Sequence, residues 1–149
     1  MGHVLEREQL VRRTRSEVFA FFADAANLEA LTPPFLRFQI VTPRPITMQT
    51  GTLIEYKIRL FGVSLRWQTL IESFEPECRF VDIQLRGPYR SWRHEHEFVT
   101  VPEGTLIKDR VTYEMPLGWL GEMGRTLLVK RTLDKIFDFR RQAIAHLEK

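Results

Sequence analysis

The chain is poor in cysteine, with Cys78 alone in 149 residues. A lone thiol forms no intrachain disulfide and no cysteine-based zinc cluster, so a reducing compartment is expected, with the cytoplasm as the location. Long apolar runs are missing as well. No stretch approaches the roughly eighteen consecutive apolar residues that a membrane-crossing helix needs, so no integral membrane association is expected. The opening residues Met1 to Glu8 contain no apolar run of the secretory kind, and Glu6 stands where a myristoylation signal wants Ser or Thr, so neither export nor acylation is expected. An excess of one charge is also lacking: 22 Lys and Arg against 19 Asp and Glu leave +3, too little to mark a nucleic-acid binder. Internal repeats, low-complexity runs and Gly/Ser linkers are absent. With 44% hydrophobic and 28% charged residues, the expectation is one domain, residues 1–149, around one core.

The periodicity of what is present changes twice. A first strand is expected around Val4 to Val11, followed by Thr14-Arg15-Ser16-Glu17, which has the spacing of a capping box, and by Val18, Phe19 and Phe22 as the apolar stripe of a short helix. Asp24 can cap a second short helix through Leu28 and Leu31, which must end before Pro33-Pro34. From Phe35 to Met115 the period is two, with turn signals at Pro43 to Pro45, Phe61-Gly62, Glu75-Pro76-Glu77, Gly87-Pro88 and Val101 to Gly104. That pattern predicts six more strands in a meander. Beyond Pro116 the period is helical again, with Leu120, Met123, Leu127, Leu133, Ile136, Phe137, Ile144 and Leu147 sharing one side of a helix of roughly 25 to 30 residues, about 40 Å long.

Turn lengths fix which residues face one another across neighbouring strands. A two-residue turn at Phe61-Gly62 sets Tyr56 opposite Trp67 and Ile58 opposite Leu65. A three-residue loop at Glu75 to Glu77 sets Trp67 opposite Leu85, Thr69 opposite Ile83 and Ile71 opposite Val81. A two-residue turn at Gly87-Pro88 sets Ile83 opposite Trp92 and Val81 opposite His94. A loop at Val101 to Gly104 sets Phe98 opposite Ile107, His96 opposite Asp109, His94 opposite Val111 and Trp92 opposite Tyr113. In this register the outer face carries charged residues, among them Glu55, Lys57, Arg66, Glu95, Lys108 and Asp82, the last opposite Arg93. The inner face mixes aliphatic residues with Tyr56, Trp67, Thr69, Trp92, His94, His96, Asp109 and Tyr113. Such a mixture suits either a pocket with apolar walls and a few orienting polar groups, or a packed core in which every polar group finds a partner.

The runs Ser16-Glu17-Val18-Phe19-Ala20-Phe21-Phe22, Asn27 to Pro34, Arg86-Gly87-Pro88-Tyr89-Arg90-Ser91-Trp92-Arg93-His94-Glu95-His96-Glu97-Phe98 and Ile136-Phe137-Asp138-Phe139-Arg140 resemble the START-like (SRPBCC) superfamily, in its polyketide cyclase/dehydrase-like branch. The resemblance covers essentially the whole chain. It implies an α+β helix-grip (START/Bet v 1-like) fold, in which a curved seven-stranded antiparallel sheet wraps a long C-terminal helix, with two short helices after the first strand. It further implies a cavity for a small hydrophobic, lipid-like or aromatic ligand, bordered by Tyr56, Trp67, Ile83, Trp92, His94, His96, Asp109 and Tyr113. That superfamily includes carriers and aromatic cyclases alike, so whether this chain is an enzyme stays open. The alternative to binding is a cyclase or dehydratase acting on a polyketide-like aromatic precursor.

For such chemistry His96 and Asp109 are the catalytic candidates. Asp109 would hold the tautomer of His96, leaving its other nitrogen to move a proton, and would raise the imidazole's pKa if desolvation does not dominate. His94, His96 and Asp109 also have the composition of a two-histidine, one-carboxylate metal site, but a fourth ligand is missing, and no cofactor is expected. Cys78 follows a turn rich in acids, which disfavours a reactive thiolate. Gly118, Gly121 and Gly124 lack the preceding strand of a dinucleotide fingerprint. Arg125, Lys130, Arg131, Lys135, Arg140 and Arg141 make the last helix basic, which reads as a solvated face or as a weak contact surface for an acidic partner or an anionic membrane.

Overall fold

The computed structural model describes residues 2–60, 62–115 and 123–148, with side chains of the last segment from residue 127 onward. Strand β1 (Gly2–Val11) leads into helix α1 (Arg15–Phe22). The Thr14 hydroxyl oxygen accepts from the Glu17 backbone N–H at 3.2 Å and donates to the Glu17 carboxylate at 3.1 Å, so the expected cap forms. Asp24 caps a 3-10 turn over Ala25–Leu28 by accepting from the Ala26 N–H, and a second such turn spans Pro34–Leu36. The strands β2 (Gln39–Ile40), β3 (Leu53–Leu60), β4 (Val63–Glu75), β5 (Arg79–Arg86), β6 (Ser91–Val101) and β7 (Gly104–Glu114) follow, then helix α2 (Met123–Ala145).

The seven strands form one antiparallel sheet in the order β1-β7-β6-β5-β4-β3-β2. Strand β2 is far shorter than the periodicity suggested, because Pro33, Pro34, Pro43 and Pro45 cannot donate to a ladder. Gly104 permits the close approach of β7 to the end of β1: its φ is +147°, and a Cβ there would strike the Val11 carbonyl oxygen. Helix α2 is tied to β1 by Arg7, whose guanidinium contacts Asp138 at 2.8 Å and Asp134 at 3.1 Å.

Two apolar clusters flank the space between sheet and helix. Val11, Val18, Phe19, Phe22, Phe80, Phe98, Ile107 and Ile144 form one, and Val111, Tyr113, Val129, Leu133 and Phe137 the other. Leu127, expected on the buried side of the helix, is 47% exposed; the buried stripe runs through Val129, Leu133, Phe137, Arg140 and Ile144 instead. Leu120, Gly118 and Gly121 lie outside the described residues.

The register is as expected between β3 and β4, where Tyr56 faces Trp67 and Ile58 faces Leu65, and between β6 and β7, where Trp92, His94, His96 and Phe98 face Tyr113, Val111, Asp109 and Ile107. Strand β5 departs from expectation on both sides. A turn one residue later than expected, over Pro76 to Cys78, and an irregularity between Ile71 and Ser73 put Thr69 opposite Gln84 and Ile71 opposite Asp82 rather than Ile83 and Val81. A second irregularity follows between Gln68 and Thr69. The link to β6 spans residues 87–90, longer than expected, and the pairing beyond it is offset by one residue: Asp82 faces His94, Phe80 faces His96 and Ile83 faces Arg93. A slip of one residue turns a strand over. Phe80 and Asp82 therefore point into the molecule, while Ile83 joins the outer row and Leu85 is 48% exposed.

Candidate functional site

The sheet's inner face, α2 and the turns after α1 enclose a cavity of about 200 Å³. Its walls are chiefly apolar and aromatic. Phe38 and Tyr56 from one end of the sheet, Trp67 from β4, Tyr89 from the β5–β6 link and Trp92 from β6 line it, and Leu133, Ile136 and Phe137 of α2 form its roof. The rings hold one another at defined angles: Trp67 is stacked on Tyr56 at 5.9 Å between centroids and meets Trp92 edge-on at 5.3 Å. The Tyr56 hydroxyl is 3.1 Å from the Thr69 hydroxyl, and burial pushes its pKa well above the ordinary tyrosine range.

One end of the cavity is polar. There β6 contributes His94 and His96, two residues apart and hence on one face, with rings stacked 3.7 Å apart. Strand β5 brings Asp82, β7 brings Asp109, and α2 brings Arg140. The His94 Nε2 donates to Asp109 Oδ1 at 2.8 Å. The same oxygen lies 2.8 Å from Arg140 Nη1, an ion-pair contact. The His96 Nε2 donates to Asp82 Oδ2 at 2.7 Å, and its Nδ1 accepts from Arg140 Nη2 at 3.4 Å. That last bond requires a bare Nδ1, so the contacts together fix His96 as the neutral Nε2–H tautomer.

Electrostatics agree with this tautomer. Burial, reinforced by the neighbouring His94, lowers the His96 pKa to about 4, overriding the upward pull of Asp82 and Asp109. The condition for the expected rise is thus not met, because removing an imidazolium from water outweighs the attraction of its carboxylates here. Asp109 is held well below the ordinary carboxylate range: Arg140 and the hydrogen bond from His94 overcome a burial effect of opposite sign. The pKa of Asp82 is also lowered, by the His96 hydrogen bond against burial.

Of the eight residues expected to border a ligand, Tyr56, Trp67, Trp92, His94 and His96 line the cavity. Ile83 does not, having been turned outward by the slip in β5. Asp109 and Tyr113 stand behind the lining: Asp109 beneath His94 and Arg140, and Tyr113 beneath Trp92 and Tyr89. His96 and Asp109 face each other in register, but their nearest contact is 3.5 Å, and each has a closer partner elsewhere. Both ring nitrogens of His96 are engaged, which removes the free nitrogen that its expected acid/base role needs. Two residues of the polar end were missed. The sequence pattern places Asp82 in solvent opposite Arg93 and Arg140 on the solvated basic face, yet Asp82 lines the cavity and Arg140 is 7% exposed. A signal for Arg140 existed, since it continues the spacing of Leu133, Phe137 and Ile144.

Among the described residues the three donor groups that come within 4.8 Å of one another are Asp82, His94 and His96, so the carboxylate of a metal triad would be Asp82 rather than Asp109. Their geometry serves hydrogen bonding: each Nε2 is given to a carboxylate, and a guanidinium sits against His96. Such a cation beside the ring opposes a bound dication.

Comparison with known proteins places this architecture. The model of the family described as polyketide cyclase/dehydrase and lipid transport matches residues 11–139. The chain belongs to that family. No curated protein matches it in sequence. Among solved structures, the Zhui aromatase/cyclase from Streptomyces sp. R1128 superposes with a TM-score of 0.80 at 12% identity, over 99% of this chain and 94% of that one. The di-domain ARO/CYC StfQ of steffimycin biosynthesis gives a TM-score of 0.74 at 14% identity over 97% of this chain, which spans half of that protein. Ara h 8.0201 gives 0.63 at 15% identity, over 97% and 98% of the two chains. At these identities the likeness is one of fold. The family's helix-grip architecture, a seven-stranded curved sheet closed by a long C-terminal helix, is the one described above. Among the described residues no helix is long and apolar enough to cross a membrane.

Proposed function

We propose that this member of the family binds a small hydrophobic, ring-containing molecule between the sheet and α2. The observation that carries the reading is the cavity itself, walled by aromatic and aliphatic side chains and ending in a compact set of polar groups, the composition of small-molecule sites. Its volume is below the roughly 300–1,000 Å³ of drug-sized pockets, which favours a ligand of one to three rings.

A second reading, conversion of a polyketide-like aromatic precursor, draws support from His94. Its Nε2 is fixed by Asp109, its Nδ1 has no hydrogen-bond partner among the described residues, and the ring lines the cavity. In such a reaction Nδ1 would take a proton from a carbon beside a carbonyl, with Asp109 steadying the imidazolium. The proton-transfer role thus moves from His96 to His94.

Binding is tested with 1-aminoanthracene, a compact dye that brightens in apolar surroundings. The wild-type chain should enhance its emission saturably, and Trp67→Ala and Trp92→Ala should change the affinity while circular dichroism shows a folded sheet. Dye emission indifferent to both substitutions would refute the reading. In the enzymatic case His94→Gln abolishes turnover of a poly-β-ketone while leaving dye affinity intact.

A further inference from the structure

The charges at the polar end are unevenly shared, and this bears on what kind of polar group a ligand can carry. Arg140 spends its contact on Asp109, at 2.8 Å. Asp82 has no cation in contact among the described residues, and Arg140 acts on it only at longer range. Its only hydrogen-bond partner among the described residues is His96, through Oδ2, and the contacts at His96 make that imidazole neutral. The second oxygen, Oδ1, has no hydrogen-bond partner among the described residues. Asp82 lines the cavity and its side chain retains 18% of its exposure, so this oxygen is within reach of a guest. Of the other polar groups nearby, the Tyr56 hydroxyl pairs with Thr69 and both nitrogens of His96 are engaged, while His94 Nδ1 and the buried Trp67 Nε1 have no hydrogen-bond partner among the described residues.

Resting on the binding reading above, we infer that the cavity selects a compact aromatic molecule bearing a hydrogen-bond donor, a hydroxyl or an amine, which Asp82 Oδ1 accepts, and discriminates against carboxylic acids. A carboxylate accepts only. A donor placed on it forms a charge-assisted bond inside an apolar box, while an anionic guest would enter a cluster in which the single guanidinium, Arg140, is already in contact with Asp109 and faces two carboxylates, Asp82 and Asp109. Specificity of this kind comes as much from the rejected group as from the accepted one.

The test is a ligand-observed NMR titration at pH 7.5 with four naphthalenes: 2-methylnaphthalene, 2-naphthol, 2-(aminomethyl)naphthalene and 2-naphthoate. Hydrogen bonds to charged groups correspond to a preference of about tenfold or more, so the alcohol and the amine are expected to bind at least that much more tightly than naphthoate, and more tightly than methylnaphthalene. Asp82→Asn, which keeps the shape but removes the charge, should bring naphthoate to within about threefold of the alcohol. Naphthoate binding as tightly as naphthol to the wild type would overturn the inference, as would a preference unchanged in a folded Asp82→Asn protein. Should that variant fail to fold, the wild-type series still decides. If methylnaphthalene binds and the four do not differ, the hydrophobic cavity stands and the selectivity falls. If none of the four binds, the binding reading itself fails.

Discussion

Acidification should loosen this protein in a pH window set by one imidazole. The folded state holds His96 at a pKa of about 4, against about 6.5 for the unfolded chain. Between those values the unfolded state binds the extra proton, so stability falls as pH falls. A difference of about 2.5 units at 1.36 kcal/mol each gives roughly 3 kcal/mol lost between pH 7 and pH 4. That is a sizeable part of the 5–15 kcal/mol typical of a domain. Asp82 and Asp109, whose pKa values are lowered in the fold, act in a different window: their stabilisation is present above about pH 4 and is lost below it. Urea unfolding at half-unit steps from pH 7 to 4.5, compared with His96→Gln, separates the two. The wild type should lose midpoint steadily below pH 6.5, and the slope should flatten in the variant whatever its absolute stability. A wild-type profile that is level over this range, or a slope that persists unchanged in His96→Gln, would refute the tautomer and burial argument.

Two further outcomes follow from the same geometry. Arg140→Met strands a buried carboxylate and should cost about 3–5 kcal/mol in denaturant unfolding, whereas Arg140→Met combined with Asp109→Asn should recover part of that loss. The rotation of β5 predicts opposite responses along that strand: Phe80→Ala should cost about 3–5 kcal/mol, and Leu85→Ala no more than about 0.5, a ranking that a thermal melt reads directly and that the expected register would invert.

The contrast between two hairpins shows how far the fold can be read from residues alone. Between β6 and β7 the sequence alternates cleanly and the turn at Pro102-Glu103 is short, so all four expected pairs appear. In β5 hydrophobicity misleads: Val81, Ile83 and Leu85 look like the inner row, yet the row facing in begins with Phe80 and Asp82. Bulges and displaced turns are not announced by periodicity, because each changes the offset between neighbouring strands while the alternation within a strand continues on either side. The candidate site was legible to the same degree. Its histidines and tryptophans stand on strands with the expected register, whereas Asp82 depended on the slip. Arg140 was obscured by the helix's other basic residues, although its position in the apolar stripe marked it as different from Lys130, Arg131 and Arg141.

Shape and polarity have separate addresses in this molecule. The polar groups come from β5, β6, β7 and α2, whereas the rings that set the cavity's width at its other end come from β3, β4 and the segments around them. An engineer could therefore recut the aromatic wall at Phe38, Tyr56 or Trp67 to admit a wider guest and leave the charge cluster untouched. Exchanging Asp82 alone could likewise change the headgroup that is welcome without altering the size that fits.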